Sequence, residues 1–154
     1  MIALLPSFRE TLVLPRSARD IGERLSASTS HKPFLQPDEA ELLFSGWVKP
    51  DRFRIALRIR RPNHFIPLVI GTIDSTSSGC LVVLSYQLFP LTQILLYGWT
   101  CFLLLGGAIG IIFFNNYPSA LGVAVVLALI HSIARSNFNL QLRLTRDALH
   151  RVVA

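Results

Sequence analysis

Six cations crowd into residues 49–61: Lys49, Arg52, Arg54, Arg58, Arg60 and Arg61, offset only by Asp51, for a local charge of about +5. The chemistry such a set can do is anion binding. One reading is a surface for anionic lipid headgroups, attracted at roughly 1 kcal/mol per charge beside an acidic leaflet, or for an acidic patch on a larger membrane complex. The other is a solvated strand face whose charge resists edge-to-edge aggregation. Both stay open on sequence alone.

A second candidate is His131. It is the one histidine in a run of 60 residues, 75–134, that contains no Asp, Glu, Lys or Arg. A neutral imidazole at such a place could be an axial ligand to haem or chlorophyll, or an interfacial histidine at a helix end. No other histidine lies in the run, so bis-ligation is not available to it. His31, His64 and His150 are scattered, and folding alone would have to assemble a metal site from them. Neither a Gly-x-Ser-x-Gly elbow, a His-Glu-x-x-His pair, a P-loop nor a Gly-x-Gly-x-x-Gly turn occurs, so the chain is read as non-enzymatic and without a cofactor of its own. The lack of intramembrane acids and bases argues against a transporter built from this chain alone.

These residues need elements to position them, and the uncharged run supplies the largest. A bilayer core of about 30 Å takes roughly 20 apolar residues per helix, so the run holds two helices, about 88–114 and 118–134, and a short turn at 115–118. Small residues mark both: Gly106 and Gly110 on the first, Ala120, Ala124 and Ala128 on the second. At four-residue spacing they let helix backbones approach closely in lipid. The short turn favours packing within the hairpin over pairing with a second copy. Cys80 and Cys101 fall in different media, one in water and one in lipid, and no disulfide is expected.

The net charge of +6 splits evenly between the flanks, with 11 basic and 8 acidic residues over 1–87 and 4 and 1 over 135–154. Basic flanks around an uncharged turn place both ends in the cytoplasm. The high isoelectric point is then a topology bias rather than a sign of nucleic-acid binding, which no aromatic-rich basic groove supports. Residues 1–5 are too short an apolar run for a signal peptide.

Residues 1–87 read as a small β-rich domain. A strand at 8–14 precedes an amphipathic helix at 15–28, with Ala18, Ile21 and Leu25 on one side. Strands follow at 41–48, 52–60, 65–74 and 80–86, spaced as a hairpin meander. In the second of these Phe53, Ile55, Leu57 and Ile59 alternate with the arginines. Pro67 places the 65–74 strand at an edge or a bulge. After the hairpin, Phe138, Leu140, Leu142 and Leu144 alternate again, predicting a strand over 137–144 before a closing helix with Ala148, Leu149, Val152 and Val153.

The stretch Phe44-Ser45-Gly46-Trp47-Val48, then Phe53-Arg54-Ile55, Asn63-His64-Phe65-Ile66-Pro67 and Gly71, with Trp99 in an apolar helix, resembles a set of uncharacterised small bacterial membrane proteins. That set combines a short β-sheet domain with a two-helix membrane hairpin and a closing helix. The likeness spans about residues 8–150, its specific motif only 46–71, and it departs at His64, where a small polar residue is more usual. It implies an architecture and no reaction. The expectation is a membrane α+β fold, with a two-helix transmembrane hairpin inserted in a small antiparallel sheet domain with covering helices. The domains are 1–87, 88–134 and 135–154. The function expected is that of an accessory, assembly or scaffold protein of a larger membrane complex, docking through the basic face and the hairpin; a pigment- or haem-binding protein using His131 is the alternative.

Overall fold

A computed structural model describes residues 5–30, 42–58, 65–114 and 117–153. The elements are β1 (Ser7–Leu14), α1 (Ala18–Ala27), β2 (Thr29–Ser30), β3 (Phe44–Val48), β4 (Arg52–Leu57), β5 (Pro67–Thr76), β6 (Gly79–Leu88), α2 (Pro90–Phe114) and α3 (Tyr117–Val153). The expected strand start at 41, the 61–64 turn and Asn115-Asn116 lie outside the described residues, as does most of the 29–38 connector.

Six strands form one sheet in the order β1-β6-β5-β4-β3-β2. From β3 to β6 it is the expected antiparallel meander, and β1 closes it by pairing antiparallel with β6. The sheet is mixed rather than purely antiparallel, because the two-residue β2 runs parallel to β3. β5 is a central strand between β4 and β6, which corrects the edge expectation from Pro67. The proline is the first residue of the strand, a position where its missing N–H interrupts no ladder.

Strand alternation sends one set of side chains to each face. Phe53 and Ile55 of β4, Val69 and Ile73 of β5, and Cys80, Val82, Leu84, Tyr86 and Leu88 of β6 are all buried. Helix α1 covers this face with Ile21 and Leu25, and α3 with Phe138, Leu149 and Val153. Gly71 makes room for the Phe53 ring, which a Cβ there would strike. Ser17 caps α1 by accepting from the Asp20 backbone N–H at 3.2 Å, a preferred use of serine before a first turn. The opposite face carries a smaller apolar cluster, Ala56, Ile66 and Leu68, with Ile70 and Phe89 against it.

Helices α2 and α3 are both long and apolar enough to cross a membrane, and only 6% and 11% of their apolar windows are buried. A core helix of a soluble domain would be mostly covered; here the apolar surface has almost no protein cover. Within the apolar stretches two polar side chains turn back onto their own helix: Thr100 Oγ1 donates to the Leu96 carbonyl at 2.7 Å, and His131 Nδ1 lies 3.0 Å from the Leu127 carbonyl. At the start of α2 the Gln93 amide donates to the Leu88 carbonyl at 2.8 Å, tying its first turn to the end of β6.

The largest departure from expectation is α3. It runs unbroken for 37 residues, about 55 Å at the α-helical rise, so the strand expected over 137–144 does not form. Buried positions fall at Ala134, Phe138, Thr145, Leu149 and Val153, a helical spacing that docks the second half of α3 onto the sheet. Leu140 and Leu144, paired with Phe138 in the strand reading, point away and are more than half exposed. The closing segment does return to the sheet domain, as one helix instead of a strand and a helix.

Candidate functional site

The described cations of the basic cluster, Lys49, Arg52, Arg54 and Arg58, lie on β4 and beside its two ends. Phe53 and Ile55 enter the helix-covered core, so alternation puts Arg52 and Arg54 on the opposite sheet face. Arg54 pairs in register with Trp47 on β3 and Ile70 on β5. Lys49 Nζ lies 5.5 Å from the Trp47 ring centroid, a cation–π contact that holds this cation beside Arg54. Trp47, Arg54, Leu68 and Phe89 line a shallow groove of about 310 Å³ close to the start of α2. Gly46 permits the tight pairing: at φ +151° its missing Cβ would meet the Arg54 carbonyl oxygen. Arg58 follows the end of β4, half-buried and already partnered. Arg60 and Arg61 lie outside the described residues. Among the described residues, Lys49, Arg52 and Arg54 are the cations of the set that gather at this face.

The small residues of the hairpin are distributed differently from expectation. Gly107, not Gly106, is the buried glycine, with Val123 3.3 Å from where its Cβ would stand. Gly110 and Ala120 are half-buried, whereas Gly106, Ala124 and Ala128 are exposed. The seam, fixed by Gly107 against Val123, runs through Leu96, Thr100, Leu103 and Gly110 of α2 and Ala120, Leu127 and Ala134 of α3, which are among the half-buried and buried positions of the two helices. This spacing of three and four is that of antiparallel bundles. Gly106 was one residue out of phase with the seam.

His131 is half-buried. Its Nδ1 is 3.0 Å from the Leu127 carbonyl; because a carbonyl only accepts, Nδ1 carries the proton and Nε2 is left as an acceptor in the neutral ring. The residue lines a cleft of about 480 Å³ where the first residues of β1 approach α3. Ser132, Arg135 and Asn139 give this cleft polar walls, and Phe8, Leu96, Phe138 and Leu142 apolar ones.

Beside the cleft is a polar cluster that sequence reasoning missed. Glu10 projects from β1 toward the helix-covered face, its side chain 9% exposed. Tyr86 donates its hydroxyl to Glu10 Oε1 at 2.7 Å. His150 Nε2 lies 3.2 Å from the same oxygen, and Arg146 Nε forms an ion pair with Oε2 at 2.8 Å. Burial pushes the Glu10 carboxyl up, but the Tyr86 and His150 hydrogen bonds and the Arg146 and His150 charges outweigh it and hold the group below its ordinary value. Burial, and then the Glu10 carboxylate, raise the Tyr86 phenol, which stays a donor. The Arg146 guanidinium also lies 5.8 Å from the Phe8 ring centroid. The signal was present: Phe8, Glu10, Leu12 and Leu14 share one strand face, and an acid among inward residues needs partners. Arg146 and His150 answer at i and i+4 on α3.

No family model, curated protein or solved structure matches the chain.

Proposed function

We propose that the protein is a membrane-anchored, non-enzymatic accessory or scaffold subunit of a larger membrane complex, held in the bilayer by α2 and α3 with both ends in the cytoplasm. One observation carries the reading. Val126, Leu129, Ile133, Leu140 and Leu144 are exposed along one side of α3 at the spacing of a packing stripe. The stripe continues past Arg135, the first charge after the apolar run, onto the half of the helix that docks on the sheet. Lipid can cover Val126 to Ile133; Leu140 and Leu144 lie about two to three turns farther on, where protein is the natural cover. The proposed occupant is an apolar helix of a partner subunit that leaves the membrane alongside α3. Lys49, Arg52 and Arg54 supply a second contact, to an acidic patch of that partner or to anionic headgroups.

The test is purification in mild detergent with sizing of the native particle. Wild-type chain should run with a stoichiometric partner, and the double variant L140Q/L144Q should lose it while melting at the same temperature. Charge reversal by R52E/R54E should weaken retention in a salt-sensitive way. A particle that contains this chain alone would end the reading.

The cleft position of His131, with Nε2 unengaged by the helix, favours a second reading in which a haem or pigment is ligated there. It requires visible absorbance that copurifies with the chain and vanishes in H131A. A colourless pure protein excludes it.

A further inference from the structure

We propose that the cleft between β1 and α3 is a specific site for an anionic glycerophospholipid with a hydroxylated headgroup, the phosphate on Arg135 and a headgroup hydroxyl on His131. The inference rests on the reading that α2 and α3 cross a bilayer.

Arg135 lies 18 residues beyond the start of α3, about 27 Å along its axis, close to the roughly 30 Å of a hydrocarbon core. On the antiparallel α2, Leu96 faces the same cleft, and Tyr97 and Trp99 next to it are exposed, as interfacial aromatics are. Both helices thus set the headgroup layer at the cleft.

Arg135 forms no ion pair among the described residues, and no carboxylate lines the cleft. Glu10, on the same strand as Phe8, is occupied by Arg146, His150 and Tyr86. A guanidinium with no ion-pair partner among the described residues, the Ser132 hydroxyl and the Asn139 amide line one opening and match phosphate oxygens. His131 offers what a phosphate does not need: a bare Nε2 that accepts from a hydroxyl. Phe8, Leu96, Phe138 and Leu142 give the glycerol backbone and first methylenes an apolar wall. The volume of about 480 Å³ falls in the range of about 300–1,000 Å³ usual for small-ligand sites.

Arg135, Asn139, Leu142, Arg146 and His150 recur every three or four residues along the side of α3 that faces β1. Glu10 closes the lower half of that seam by pairing with the last two. Above it, residues 5–8 and the first of these helix positions stay apart, and the gap opens at the height of the lipid headgroups.

The delipidated full chain in mild detergent is titrated with dioctanoyl phosphatidylglycerol, phosphatidic acid and phosphatidylcholine, and binding is read by native mass spectrometry. Phosphatidylglycerol should bind most tightly, and R135A should weaken it about tenfold, the scale of one charge-assisted contact. H131F should abolish the preference for phosphatidylglycerol over phosphatidic acid, and R143A, at an exposed arginine away from the cleft, should change nothing. Equal binding in R135A, an equal loss in R143A, or no preference over phosphatidylcholine overturns the proposal. Competition by glycerol phosphate or inorganic phosphate at the same concentrations would assign the site to a soluble phosphate and also overturn it. Carbonate extraction of the same cells separates the two readings: a chain released from membranes defeats the anchor, while a retained chain with unselective lipid binding defeats only the cleft.

Discussion

Glu10 concentrates the chain's internal electrostatics in one side chain, and its consequences are measurable. A carboxyl held below its ordinary value of 4.5 takes up a proton less readily folded than unfolded. Its contribution to stability is therefore complete above 4.5 and is lost as the pH falls below that through the folded value. Thermal melts of the purified chain should show the wild type losing stability as the pH drops below about 4.5. Glu10→Gln, lacking the titration, should start about 1–3 kcal/mol less stable at pH 7 because Arg146 loses its partner, and the two should converge in acid. Parallel curves for both proteins would show that the cluster does not bear on folding.

Among the elements, α3 separates two readings of one pattern. Phe138, Leu140, Leu142 and Leu144 alternate as a strand does, yet Ala134, Phe138, Thr145 and Leu149 also fall on one helical face. The helix wins because it continues without a break from an apolar segment already helical, so no costly new nucleus is needed, and because its buried face reaches the sheet core through Phe138, Leu149 and Val153. Phe138→Ala should cost about 3–5 kcal/mol, while Leu140→Ala and Leu144→Ala should stay within about 0.5 kcal/mol in the isolated chain. Equal losses at all three would restore the strand.

The same comparison shows what was legible. Strands β1 and β3 to β6, helix α1 and the two apolar helices follow from periodicity and turn residues, because each buries a face that its own sequence marks. The seam of the hairpin was not legible to a single residue, since Gly106 and Gly107 are adjacent and only the partner Val123 tells them apart. The Glu10 cluster joins residues 140 positions apart, and the cleft needs α2, α3 and β1 together. Local pattern marks Glu10 as an inward acid in need of partners, but it says neither which residues answer it nor that a cleft opens beside them.

At the scale of the whole molecule, the contacts of Glu10 with Arg146 and His150 join the first strand to the last helix across the hairpin. If α2 and α3 cross a bilayer and return, residues 7–14 and 146–150 must share a side, since separating them would empty the Glu10 cluster and strip Phe138 and Leu149 from the core. On the topology proposed above, the basic excess on both flanks assigns that side to the cytoplasm. Fluorescent-protein fusions at either end should therefore fold and emit, and a phosphatase inserted between Asn115 and Asn116 should be active on the far face. An active phosphatase at one end and a fluorescent reporter at the other would be incompatible with the fold itself, because β1 could not pair with β6 while α3 docks on their sheet. Such a result would remove the proposed anchor, docking stripe and lipid cleft together, since all three rest on α2 and α3 crossing a bilayer with both ends on one side.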